Sequence, residues 1–222
     1  MTTTRTSIPS SAPQSDAPSR LTAAAGTYVG AWLMGLALAP AAPPPDAAAA
    51  DIVRHYLDHG AEVLTSSALV HGVAGLALGV FAVSLATSVR ARGGLRRAVV
   101  GTGLAASALS LAQVAIAATA VTVADSDADR TASLFNALNL VDVLKIALLA
   151  SFVAVATTAF SRTRRLPRWL LLLATALVPT LVVGSAALVA PTPVLSAALA
   201  ASLIALLVWA AAVGLLVRRA DR

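Results

Sequence analysis

Six side chains carry chemistry into otherwise apolar sequence: Asn136, Asn139, Asp142 and Lys145 follow one another at three-residue steps in the run Leu134–Phe160, His71 lies inside Val63–Val89, and Gln113 inside Ala98–Ala124. A charged group near the centre of a membrane helix costs on the order of 2.5–3.5 kcal/mol on insertion scales, so such residues need partners. Asp142 and Lys145, three apart, share a helix face and can neutralise each other. At 1.5 Å per residue from the outer end of each run, His71 and Asp142 lie about 12 Å deep, Gln113 about 15 Å and Lys145 about 16 Å. Short connections make the three runs antiparallel neighbours, so His71, Gln113, Asn139, Asp142 and Lys145 are expected to form one intramembrane polar cluster. Two roles fit it. One is a proton or ion relay, or the polar lining of a small-solute site. The other, favoured on a single acid, a single lysine and a single histidine, is a satisfied network that fixes helix register.

A second set of candidate ligands precedes the run at Val63. His55 and His59 are four apart, with Asp51 and Glu62 near the same helical meridian, a donor set that suits a divalent metal such as zinc or a pH-sensing face. The alternative is a solvated polar face. The His-Glu-x-x-His motif of zinc proteases is absent, because Tyr56 follows His55 where the motif has glutamate. Asp46 is expected to cap a short amphipathic helix over 47–59, with Gly60 as its stop and Ile52, Val53, Tyr56 and Leu57 on its apolar side.

The elements that must position these groups follow from composition. Of 222 residues, 58% are hydrophobic and only 12% charged, and the charges are clustered. A soluble chain of this size has too little interior for that apolar surface, whereas a bilayer accepts it. Six runs of membrane-crossing length stand at 21–39, 63–89, 98–124, 134–160, 166–190 and 194–217, broken by prolines such as Pro43, Pro44 and Pro45 and the Pro191-Thr192-Pro193 turn. The expected fold is all-α, a polytopic six-helix transmembrane bundle, with polar tails at 1–20 and 218–222.

Fifteen Arg and one Lys give a net charge of +6. Thirteen of these cations fall in the tails and the 90–97 and 161–168 turns, against Arg54 and Arg130 on the other side. Cationic loops stay cytoplasmic, so both termini are expected inside and the protein in the cell membrane. No aromatics alternate with the arginines, so a lipid surface rather than nucleic acid is the expected partner. Ala37-Leu38-Ala39 has the form of a signal-peptide cleavage site, but Pro40 follows it and the run is of membrane length, so the first helix is expected to be retained. Gly26-x-x-x-Gly30 and Gly75-x-x-x-Gly79 are candidate close-packing surfaces. Trp169 suits the interface, and Trp32 and Trp209 suit packing.

No cysteine is present, nor a Gly-x-Ser-x-Gly elbow, Walker loop or dinucleotide glycine pattern. No catalytic residue and no cofactor is expected. From Leu36 to Gly94 the sequence carries Pro43-Pro44-Pro45-Asp46, then Ile52-Val53-x-x-Tyr56-x-x-His59, then a long helix ending at Arg90-x-Arg92. In these features it resembles a family of small actinobacterial multi-pass membrane proteins known only as a domain of unknown function. That resemblance implies a six-helix layout and no assigned activity. The leading expectation is therefore a non-enzymatic membrane protein, a subunit or stabiliser of an assembly with a membrane-protein partner or further copies of itself. The alternatives are a small transporter or channel using the polar cluster, and an outer-face metal or pH sensor.

Overall fold

The computed structural model describes residues 17–89, 91–163 and 166–220. Residues 1–16 of the expected tail, Arg90, Arg164, Arg165, Asp221 and Arg222 lie outside the described residues, as do the side chains of Arg218 and Arg219. All regular structure among the described residues is helical: α1 (Ala17–Leu38), α2 (Ala49–Ser67), α3 (Ala74–Ser88), α4 (Gly93–Val123), α5 (Ala128–Thr163), α6 (Arg168–Ser185) and α7 (Pro193–Ala220). Among the described residues six helices are long and apolar enough to cross a membrane, because α2 and α3 form one 40-residue rod, Ala49–Ser88. This is an all-α six-helix bundle of an integral membrane protein.

The helix ends follow local chemistry. Prolines stop α1, and the Asp127 carboxylate caps α5 by accepting from the Arg130 N–H at 2.9 Å. The Thr192 hydroxyl accepts from the Leu195 N–H at 3.2 Å and does the same for α7. Gly93 opens α4 from a φ of 56°, a conformation that favours glycine.

Two expectations fail between α1 and α3. Asp46 does not cap α2, whose N-cap is Ala48 with no side-chain bond. Gly60 does not stop it either: the helix bends at His59, where φ and ψ leave helical values, and continues. Once Val63 onward is apolar, burial outweighs the small helical penalty of one glycine. The rod then passes through a π turn, Ala68–Val73, which holds His71.

Consecutive spans pack side by side and α7 returns to α1, so the six close into a ring. Gly75 and Gly79 sit against α4 as expected: a Cβ on Gly75 would lie 2.8 Å from the Ser110 Cβ, and one on Gly79 3.1 Å from the Ser107 Oγ. The Ser107 hydroxyl donates to the Gly75 carbonyl at 2.7 Å across this contact. Gly26 and Gly30 correct the sequence reading, since a Cβ on either would meet nothing within 4 Å. On α1 it is Gly35 that approaches α2 and the π turn, against Ser66, Leu69 and Val70.

The ring is filled unevenly. Phe81 of α3, Phe152 of α5 and Trp209 of α7 meet edge-to-face with centroids 6.0 to 6.3 Å apart. All three are 2% exposed or less. They come from alternate spans that run in the same direction. Phe81 and Phe152 lie ten residues past His71 and Asp142 respectively, about 15 Å further along each helix. The plug they form is worth about 0.5–1.5 kcal/mol per aromatic pair beyond simple burial. Trp169, 51% exposed at the start of α6, matches an interfacial anchor.

Candidate functional site

The polar residues of three spans converge on one ammonium. Lys145 Nζ lies 2.6 Å from Asp142 Oδ1 on its own helix, 2.7 Å from Gln113 Oε1 on α4 and 3.2 Å from His71 Nδ1 in the π turn. An ammonium has three N–H donors and no acceptor, so these three partners saturate it. With Lys145 charged, His71 Nδ1 must accept, which assigns the imidazole proton to Nε2. Lys145 is 5% and Gln113 0% exposed. Asp142 keeps 28% of its side chain accessible. The carboxylate is more open than the ammonium, although both residues line the central cavity.

The cluster opens on empty space. A central cavity of about 230 Å³ takes lining from all round the ring: Tyr28 and Trp32 of α1, His71, Ser110 of α4, Asp142 of α5, and Leu199 of α7. Leu78 and Leu149 form part of its wall, three residues before Phe81 and Phe152, so the aromatic plug lies beyond it. A second cavity of about 200 Å³ extends from His71, Gln113 and Asp142 towards the 39–48 connection, reaching Ala42, His55 and Tyr56. Ser66, His71 and Asp142 line both. Ser67, Gln113 and Asn139 also belong to the lining of this second cavity, although Ser67 Oγ, Gln113 Nε2 and Asn139 Nδ2 are themselves buried and closed off from it.

Of the expected cluster, then, His71, Gln113, Asp142 and Lys145 meet at one point and Asn139 borders the adjoining cavity. Asn136 is exposed near the N-terminal end of α5. Sequence reasoning placed Ser67 on the His71 face but missed Ser66; Trp32 packs on the core as expected and also lines the central cavity. Trp209, likewise assigned to packing, is fully buried in the plug. Ser66 lies about one turn before His71, which was the available signal.

The outer-face set does not assemble as a metal centre. His55 and His59 keep ring centroids 5.6 Å apart. Asp51 pairs with Arg54 at 3.5 Å. The bend at His59 breaks the meridian that was to align Glu62. Among the described residues no three His, Asp or Glu side chains are grouped to hold a metal ion. Partial burial, and secondarily the positive form of His59, hold His55 below the ordinary imidazole value. Burial raises the Tyr56 hydroxyl to about 12.

Comparisons with protein-family models, curated proteins and solved structures find no match for this chain.

Proposed function

We propose that this integral membrane protein is a non-enzymatic transporter or channel for a small solute or a proton, with the site at Asp142, His71, Gln113 and Lys145. The observation that carries the reading is that the ionic cluster borders two cavities instead of solid packing, with its carboxylate turned towards them. A pair that only fixed register would be expected in close-packed surroundings, as at Gly75 and Ser107. The π turn at His71 supports it too, since such turns recur where helices carry function. The thirteen cations on one side orient the molecule with both termini in the cytoplasm of a cell. The cavities then face outward and the Phe81–Phe152–Trp209 plug seals the cytoplasmic half.

The chain has no cysteine, so single thiols can be introduced without background. A charged methanethiosulfonate applied from the 39–48 side is expected to modify Ser66→Cys, and Asp58→Cys as an exposed control, but not Ser84→Cys beyond the plug. An inert Ser66→Cys beside a reactive Asp58→Cys would overturn the reading. In proteoliposomes Asp142→Asn should then abolish solute- or proton-driven flux while the protein still folds.

One observation favours the register-fixing role within a larger assembly: Lys145 has no donor left over. Under that role Asp142→Asn lowers thermal stability and no flux exists to lose.

A further inference from the structure

We infer that the central cavity binds a small uncharged molecule with one apolar ring or chain and one hydroxyl group, of about the size of benzyl alcohol. The inference rests on the reading of these cavities as a passage reached from outside, and it names what the central one holds.

Two hydroxyls carry it. Tyr28 of α1 and Ser110 of α4 line this cavity and are 5% and 4% exposed. Neither hydroxyl has a hydrogen-bond partner among the described residues. Ser110 stands apart in this, because Ser151, Thr158 and Thr175 each donate to the carbonyl four residues back, and Ser107 donates to Gly75. Nor are the two oxygens closed off from a water-sized molecule, as Ser67 Oγ and Thr157 Oγ1 are. A buried hydroxyl left unpaired is unfavourable by roughly 1–3 kcal/mol, so both await something that enters the cavity.

Charge and wall then narrow the class. Lys145 is enclosed by its three acceptors and 5% exposed, so it has nothing to offer an anion. A cation is no better served, because Lys145 lies 2.6 Å from the Asp142 carboxylate and cancels its charge. The rest of the wall is largely apolar, with Leu78, Ile146, Leu149, Leu203 and the ring of Trp32. Against such a wall an amide or urea would leave some of its several donors unmet. A hydroxyl brings one donor, which Asp142 can accept, and lone pairs that Tyr28 or Ser110 can serve. An apolar cavity of about 150 Å³ holds benzene, so one of about 230 Å³ holds a single ring with a short hydroxyl-bearing arm.

The test uses the full-length protein in lipid nanodiscs with Trp169→Phe and Trp209→Phe, which leaves Trp32, on the cavity wall, as the sole tryptophan. Its fluorescence is titrated with benzyl alcohol, with ethylbenzene of the same shape, with benzoate and with benzylammonium. Benzyl alcohol is expected to shift the Trp32 emission saturably. The other three are expected to give only the non-saturating drift of partition into lipid. Adding Tyr28→Phe and Ser110→Ala should raise the half-saturating concentration of benzyl alcohol by about threefold to tenfold, the worth of one hydrogen bond. Four results overturn the inference: ethylbenzene saturating as readily as benzyl alcohol, either ion binding more tightly, a half-saturation unchanged in the Tyr28→Phe, Ser110→Ala variant, and no saturable response to any of the four, which means water alone fills the cavity. In each of these a reactive Ser66→Cys leaves the passage itself standing. An inert Ser66→Cys removes the passage and this inference together.

Discussion

Removing Asp142 alone should damage the protein more than removing both members of the Asp142–Lys145 pair. Asp142→Asn keeps the side-chain shape but leaves the ammonium of Lys145, 5% exposed, with neutral acceptors only and no countercharge. Breaking a buried pair from one side typically costs about 3–5 kcal/mol. Asp142 retains 28% of its surface on the cavity, where water can partly replace it, so the lower end of that range applies. For a chain of this size 1 kcal/mol shifts the midpoint by about 2–4 °C, so a loss of about 3 kcal/mol lowers it by about 6–12 °C. Lys145→Met strands the Gln113 carbonyl instead, at about 1–3 kcal/mol, and leaves Asp142 hydrated from the cavity. In the double variant no charge is left to compensate, so its midpoint should lie above that of Asp142→Asn alone. The double-mutant coupling should be at least about 2 kcal/mol. Thermal melts followed by tryptophan fluorescence in detergent give all four midpoints. If the double variant melts at the sum of the two single losses, Lys145 is not held by Asp142 and the cluster described above is wrong.

Three further outcomes can be read in the same assay. Gly75→Ala forces a methyl against Ser110 and strains the Ser107 bond, with an expected loss of about 1–3 kcal/mol, whereas Gly26→Ala meets nothing and should be neutral or stabilising by up to about 1 kcal/mol. Trp209→Phe removes a buried N–H that has no partner and should leave the midpoint nearly unchanged, while Trp209→Ala should lower it and raise passive ion leak through liposomes by opening the plug. Because the folded-state value of His55 lies below the unfolded one, the unfolded chain takes up the proton first as pH falls. Its contribution is therefore complete above the unfolded value of about 6.5 and is lost as pH drops through the folded value, with a small amplitude for a half-buried ring, and His55→Gln should flatten the melting profile between about pH 8 and pH 5.

The parts of this structure that were legible in sequence are those governed by one-dimensional spacing. Span count follows from apolar run length, and the Asp142–Lys145 contact follows from a three-residue step on one helix. The meeting of His71, Gln113 and Lys145 follows from depth alone, because antiparallel neighbours at equal depth have little freedom to miss. Rotation about a helix axis is less constrained. In a chain so rich in Ala and Gly, Gly26-x-x-x-Gly30 and Gly75-x-x-x-Gly79 look alike, and only the neighbours of α1 decide that the first pair faces outward. The continuous rod Ala49–Ser88 was hidden for a different reason: Gly60 is a stop signal by propensity, and tertiary burial of the apolar sequence after it prevails. Cavities leave no trace in sequence at all. They are set by what the larger side chains fail to fill, so Ser66 and Trp32 gain their places on a cavity wall only after the ring has closed.

The energetic argument for function lies in the arrangement of polar and apolar filling along the ring axis. Replacing a buried ion pair with apolar residues of similar volume is often neutral or stabilising. Leucines at 142 and 145 would therefore be no penalty if register were the only requirement, since Gly75 and Gly79 already lock α3 onto α4 by shape. Instead the carboxylate and an imidazole are gathered beside two adjoining cavities of about 230 and 200 Å³. Phe81, Phe152 and Trp209 are placed beyond them, where they close the axis. Moving Phe152 or Trp209 up by one or two turns would fill the central cavity and gain the dispersion contacts that a void forfeits. A bundle shaped for stability alone would take that gain. This one packs Phe81, Phe152 and Trp209 together beyond the cavities and leaves the Asp142 carboxylate beside unfilled space, the arrangement that the proposed transport role requires.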